Sequence, residues 1–191
     1  PARLREGAAA GFIQVQMTRN GLRSNQVWMP VATSKPIPGL MTKNFPALSP
    51  LPAASLDAYS FNQDGTPNSE ANPAHAGTNL YLYATGLGAT TPPLPPGTVS
   101  QTEVSPAIPV WSTWDLLTSR PDMPPPPLTV TTMNGFVSDI FQVQLPVPAG
   151  IVQFGTPDSN GVVRYPVGLL FYLNYDNVAM PVSNWVNVYL Q

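Results

Sequence analysis

Apolar and polar residues alternate with a period of two along much of this chain, which is the signature of half-buried β-strands. Ile13, Val15 and Met17 fall on one face, with Gln14, Gln16 and Thr18 on the other. Leu80, Leu82 and Ala84 alternate with Tyr81, Tyr83 and Thr85, and Phe141, Val143 and Leu145 alternate with Gln142 and Gln144. Val186, Val188 and Leu190 oppose Trp185, Asn187 and Tyr189. The outward positions hold Gln and Tyr, side chains that make contacts without net charge. Asn20-Gly21, Asp64-Gly65, Asn134-Gly135 and Asn160-Gly161 supply residues that tolerate the positive φ of tight turns. No window has the spacing and caps of an amphipathic helix, and only Ser112–Ser119 is expected to manage a short helical turn. The pattern predicts an all-β fold, a β-sandwich.

The two ends of the chain also resemble each other. Gly11–Ala32 is echoed by Gly168–Leu190: an apolar strand runs into an Asn-containing turn, and a Ser-Asn pair, Ser24-Asn25 or Ser183-Asn184, opens a second strand. The likeness reaches upstream, since Pro148-Ala149-Gly150 precedes the second copy and Pro1-Ala2 stands at the matching place in the first. The first copy is expected to be the end of an incomplete unit. Two strands alone are marginal in water, so something else must complete that hairpin. We divide the chain into an N-terminal hairpin (1–33), a Pro-punctuated connector with room for a small hairpin (34–71) and a sandwich domain (72–191). Gly86–Pro106 and Thr113–Pro127 read as long Pro-rich excursions, the kind of loop that carries an interaction or packs on a partner.

Composition narrows the function classes. The 191 residues suffice for one large or two small domains. Only 9% are charged, well below the usual quarter, so copies meet little electrostatic opposition and self-association is favoured. A net charge of −2 offers no basic field for nucleic acid or anionic lipid, and we expect neither partner. There is no Cys, hence no disulfide framework and no thiolate metal site. No apolar run reaches the length of a membrane span, and the N-terminus lacks a signal-peptide profile, so an exported chain is expected in its mature form. The 25 prolines cluster between strand-like runs and read as rigid loops, with Pro124–Pro127 a stretch of polyproline II.

Gly77–Gly88 (GTNLYLYATGLG), Phe141–Gly150 (FQVQLPVPAG) and the closing hairpin resemble an IPT/TIG-type immunoglobulin-like domain. Pro38-Gly39-Leu40-Met41-Thr42, Asn62-Gln63-Asp64-Gly65, Asn72-Pro73-Ala74 and Tyr83–Gly88, in that order, resemble a C-terminal domain family of uncharacterised secreted bacterial proteins, typical of acidobacteria. The resemblance implies an immunoglobulin-like β-sandwich, an extracellular or cell-surface location and no catalytic residues.

Candidate chemistry is sparse. His75 is the single histidine, in the turn-like stretch Pro73–Gly77, and its nearest acidic residue in sequence is Glu70. A solvated loop histidine is the plainer reading than an acid, base or ligand. Asn62, Asp64, Asn68 and Glu70 set oxygen donors around a Gly turn, as calcium loops do, but without the further carboxylates of an EF-hand; Asp-Gly is also a common hairpin turn. Trp28, Trp111, Trp114 and Trp185, with Tyr81 and Tyr83, suit a sugar-stacking platform, a core or a subunit contact. Arg3, Arg5 and Glu6 are a solvated terminus or partners for a neighbour's carboxylates. No cofactor is expected.

The expected function is structural: a subunit of an extracellular filament or surface assembly, a homopolymer in which the N-terminal hairpin docks on a neighbouring subunit. Strand addition joins backbone bonding to side-chain pockets, and the expected interface residues are Ile13, Val15, Met17, Val27, Trp28 and Met29. Burying five such side chains contributes about 7–15 kcal/mol before ordering costs. The alternative is a monomeric secreted adhesion or carbohydrate-binding module with a surface glycan as partner.

Overall fold

The computed structural model describes residues 11–31, 36, 38–43, 56–95, 97–118, 125–150, 155–171 and 183–191. The chain forms two compact units, Pro1–Ile37 and Pro38–Gln191. Among the described residues it is all β apart from one six-residue helix.

Unit 1 is a long hairpin. Strand β1 (Gly11–Val15) pairs antiparallel with β4 (Val27–Val31), placing Ile13 opposite Met29 and Val15 opposite Val27. The hairpin continues to its tip as β2 (Thr18–Arg19) and β3 (Leu22–Arg23). The tip is Asn20-Gly21 with φ of 50° and 80°, the double positive φ that a two-residue type I′ turn requires. Asn tolerates it through local bonding and Gly through its missing Cβ. Between the pairs Val15–Val27 and Thr18–Arg23, two residues face three, a β-bulge centred on Ser24 and Asn25.

Unit 2 is a sandwich. One sheet holds β5 (Gly39–Leu40), β6 (Ser60–Asn62), β7 (Asn79–Thr85), β11 (Thr129–Thr132) and β12 (Ile140–Pro146), in the order β11-β12-β7-β5 with β6 also on β7. The expected alternation holds: Leu80, Leu82, Ala84, Phe141, Val143 and Leu145 are buried, while Tyr81, Tyr83, Gln142 and Gln144 face outward and keep partial exposure. The opposing layer pairs β13 (Val163–Val167) with β15 (Val186–Leu190), whose Val163, Tyr165, Val167, Val186, Val188 and Leu190 complete the core. Burial of apolar surface between the two layers is the main force holding them.

Shorter elements close the ends of the sandwich. β8 (Thr90–Thr91) pairs with β9 (Ser105–Pro106), so the first Pro-rich excursion folds back on itself as a narrow ribbon. β10 (Trp111–Ser112) pairs with β14 (Leu169–Leu170). The helix α1 (Thr113–Thr118) sits where a short helical turn is expected. Ser112 precedes it and donates its N–H (2.7 Å) and hydroxyl (3.0 Å) to Asp115 Oδ2, the return half of a capping box.

The sandwich begins earlier than the sequence suggests. β5 and β6 lie in the stretch read as a connector, yet both pair with β7, and Leu40 and Ala58 are core residues. Strands of two and three residues are too short to display a period. Within 34–71 the Asp64-Gly65 turn is closed by the Asn62 N–H donating to the Thr66 carbonyl (2.8 Å).

Candidate functional site

The likeness between the chain ends is a likeness of hydrogen bonds. In unit 1 the Ser24 N–H donates to the Met17 carbonyl (2.8 Å), the Met17 N–H donates to Ser24 Oγ (3.0 Å), and the Ser24 hydroxyl donates to the Asn25 carbonyl (2.7 Å). In unit 2 the Ser183 N–H donates to the Leu169 carbonyl (3.4 Å), the Leu169 N–H to Ser183 Oγ (2.8 Å) and the Ser183 hydroxyl to the Asn184 carbonyl (2.8 Å). The same lock therefore closes both hairpins. It matches Met17 with Leu169, Val15 with Val167 and Val27 with Val186, so β1 corresponds to β13 rather than to the residues after Gly168. The sequence alignment of the first strands is corrected by five residues.

This correspondence gives unit 1 its meaning. Ile13, Val15, Val27, Met29 and Val31 stand at the register positions held in unit 2 by Tyr165, Val167, Val186, Val188 and Leu190, all of them buried. Unit 2 covers its hairpin with the five-stranded sheet. Unit 1 has no second sheet among its described residues. Of the expected interface residues, Met17 is 73% exposed, and the neighbouring tip residue Leu22 is 79% exposed. The side chains of Ile13, Val15, Val27, Trp28 and Met29 lie outside the described residues, as do Arg3, Arg5 and Glu6.

Asn184 and Asn25 differ in what they hold. The Asn184 amide accepts the Leu40 N–H (2.7 Å) and donates to the Leu40 carbonyl (3.1 Å), standing in for a neighbouring strand. Asn25, its counterpart and like it exposed, makes no such bond among the described residues. A further difference lies at the hairpin's outer edge, where Pro30 matches Tyr189. The Tyr189 N–H donates to Asn68 Oδ1 (2.9 Å), a bond that proline cannot make.

The four oxygen donors weighed for calcium do not converge. Asn68 is fully buried: its amide donates to Asn62 Oδ1 (3.0 Å) and the Tyr189 carbonyl (2.8 Å), so it too mimics a strand. The Asn62 amide donates to the Asn72 carbonyl (3.0 Å). Asp64 Oδ1 accepts the Thr66 hydroxyl (2.6 Å) and N–H (3.0 Å), and these bonds hold its carboxyl below the usual value. Glu70 lines a different, open cavity of about 290 Å³ with Asp158, Arg164 and Tyr189. There Tyr189 donates its hydroxyl to Asp57 (3.2 Å), which also pairs with Arg164 at 2.8 Å. Burial, with the Asp57 carboxylate next, raises the Tyr189 phenol. Among the described residues no three His, Asp or Glu side chains are grouped to hold a metal ion.

His75 is exposed, and its carbonyl accepts the Thr78 N–H (3.1 Å) and hydroxyl (2.6 Å) in a tight turn. It shares a shallow cavity of about 190 Å³ with Asn62, Asp64, Asn72 and Thr78. Every buried side-chain nitrogen and oxygen among the described residues has a hydrogen-bond partner, so no buried polar group awaits a ligand.

The tryptophans do not form one platform. Trp114 is buried, edge-on to Tyr165 at 5.8 Å, and donates Nε1–H to the Pro166 carbonyl (3.2 Å). Trp111 is half-buried and bonds the Pro125 carbonyl (3.1 Å), while Trp185 is partly exposed. Instead Tyr83 joins two rings the sequence reading did not single out: Tyr59 at 5.5 Å and Phe61 at 5.9 Å, with Tyr59 and Phe61 5.2 Å apart. They share the outer side of the five-stranded sheet, where Tyr81, Gln142 and Gln144 also face outward. A signal existed in the alternation at Tyr59-Ser60-Phe61-Asn62, which continues the outward aromatic pattern of β7. No helix among the described residues is long and apolar enough to cross a membrane. Comparison with family models, with curated proteins and with solved structures finds no match to this chain.

Proposed function

We propose that this protein is a structural subunit of an extracellular filament or surface assembly, joined to its neighbour through the hairpin of unit 1. The observation that carries this reading is the duplicated Ser lock. It identifies unit 1 as the same building element as β13–β15, whose apolar row is core in unit 2, whereas unit 1 has no covering sheet among its described residues. A two-stranded hairpin needs such a cover. The exposed Asn25 amide is the counterpart of one that grips a strand backbone. The extracellular setting rests on the resemblance to secreted immunoglobulin-like modules.

Docking adds to the neighbour rather than exchanging for its own β13–β15. Pro30 in place of Tyr189 would leave the buried Asn68 Oδ1 without its donor, at a cost of about 1–3 kcal/mol. A contact between two different surfaces of identical copies propagates head to tail into a fibre. Sedimentation velocity and negative-stain microscopy of the full chain beside residues 38–191 test this. The full chain is expected to polymerise and the shorter one to stay folded and monomeric. A full chain that remains monomeric at high concentration refutes the proposal, as does equal polymer from both.

A second reading, an adhesion or carbohydrate-binding module, is favoured by the ring cluster of Tyr59, Phe61 and Tyr83 on the outer sheet face.

A further inference from the structure

We infer that the outer face of the five-stranded sheet is a binding site for a single chain of neutral polysaccharide, centred on Tyr59, Phe61 and Tyr83. This rests on the carbohydrate-binding reading and is independent of hairpin docking. The three ring centroids lie 5.2–5.9 Å apart and form one cluster. Tyr59 is 46% exposed, on the opposite face from its buried neighbours Ala58 and Ser60.

Hydrogen-bonding groups border the rings. Gln142 lies opposite Tyr83 and Gln144 opposite Tyr81 across adjacent strands, with Phe61 opposite Tyr81 on the other side. The Gln142 amide donates to the Tyr83 hydroxyl (3.3 Å), which orients both groups and leaves the amide oxygen as an acceptor. An exposed phenol ring, Tyr59, backed by two partly exposed rings and bordered by amides matches a sugar residue, which presents C–H groups on its flat sides and hydroxyls around its rim.

Charge then selects among ring-stacking ligands. Single-stranded nucleic acid also stacks on aromatic side chains, but it requires a cationic groove along the phosphates. None of these six side chains carries a formal charge, so an anionic polymer gains nothing here, whereas a neutral glycan needs no counter-charge. The inclination of the rings narrows the class further. Phe61 stands at 85° to Tyr59 and 89° to Tyr83, and Tyr59 at 48° to Tyr83. Such a corrugated surface cannot lie flush on a crystalline polysaccharide but can seat successive residues of one twisted, soluble chain.

Affinity electrophoresis of the full chain tests the site, with hydroxyethylcellulose, xyloglucan and glucomannan as neutral probes and polygalacturonate as the anionic one. At least one neutral polymer is expected to retard the protein. Tyr59→Ala, at an exposed position, is expected to weaken that retardation tenfold or more with the melting temperature kept, and Gln144→Ala to weaken it less. Trp185→Ala, at a ring that is not one of the three, is expected to leave it unchanged. Absence of retardation by every neutral polymer overturns the carbohydrate-binding reading itself. Retardation that survives Tyr59→Ala but not Trp185→Ala keeps that reading and overturns this site. Retardation by polygalacturonate alone overturns the neutral class. Loss of self-association in Tyr59→Ala with glycan behaviour unchanged makes a second copy the occupant and overturns the inference.

Discussion

The side-chain amide of Asn184 brackets the backbone of Leu40, accepting its N–H at 2.7 Å and donating to its carbonyl at 3.1 Å across 144 residues of sequence. One side chain thereby seats the first strand of the sandwich against the loop that leads into its last. Asn184→Ala is expected to remove about 1–3 kcal/mol of stability, measured by urea unfolding, because both backbone groups of a core residue lose a partner. The matching substitution in unit 1, Asn25→Ala, should leave the unfolding free energy within about 0.5 kcal/mol and instead weaken association of the full chain. Equal loss of stability from both substitutions would show that Asn25 already grips a strand within its own chain.

Asn68 is the more demanding of the strand mimics, since it is fully buried and bonds Asn62 and both backbone groups of Tyr189. Asn68→Ala is expected to cost about 3 kcal/mol or more through the polar groups it leaves unpaired. Asn68→Asp should cost at least as much at neutral pH, because a carboxylate cannot donate to the Tyr189 carbonyl and its charge would be buried. Acidification that protonates the new carboxyl should recover part of the loss. Denaturant melts of both variants at two pH values check this.

Asp115 gives a pH signature. Burial raises its carboxyl above the ordinary value of 3.8, against the lowering effect of the Ser112 bonds. The native state therefore keeps a proton that the unfolded chain has already released. Its contribution is fully present below pH 3.8 and is lost as pH rises through the raised value. Asp64, held below 3.8 by Thr66, acts in the opposite sense, supporting the fold above that pH and ceasing to as pH falls. Asp115→Asn should abolish only the first effect. Melting temperatures from pH 3 to 6 should show the parent losing ground to the variant as pH rises, whereas parallel curves would contradict the assignment.

Trp114 anchors the helix to the second sheet, edge-on to Tyr165 with its indole N–H on the Pro166 carbonyl. Trp114→Ala is expected to cost about 3–5 kcal/mol. Trp114→Phe should cost less, keeping much of the packing while leaving that carbonyl without its donor. Chemical denaturation followed by far-ultraviolet circular dichroism separates the two.

Much of the fold was legible in the sequence because β7, β12 and β15 are long enough to show a period and half-buried enough to need one. β5 and β6 were hidden by their length. β13 was hidden by Pro166, which reads as a strand breaker but is tolerated because it stands opposite Asn187, whose N–H and carbonyl bond Leu56 and Ala58 instead, so no ladder bond calls on the missing N–H. The candidate sites were less legible. Asn62 and Asn68 look like cation ligands locally, since nothing near them reveals that their amides serve each other and a strand 121 residues away. Tyr81 and Tyr83 announced an outward aromatic row, but Tyr59 and Phe61 fell in the presumed connector.

The serine that ties each hairpin at its neck has one more consequence. The tied positions lie seven residues apart in sequence in the first hairpin and fourteen in the second, yet the strands below meet with the same offset. The number of residues between the tied positions therefore changes without changing the register of the strands beneath them. A tie of this kind lets the outer part of a hairpin lengthen while the paired body below keeps its place.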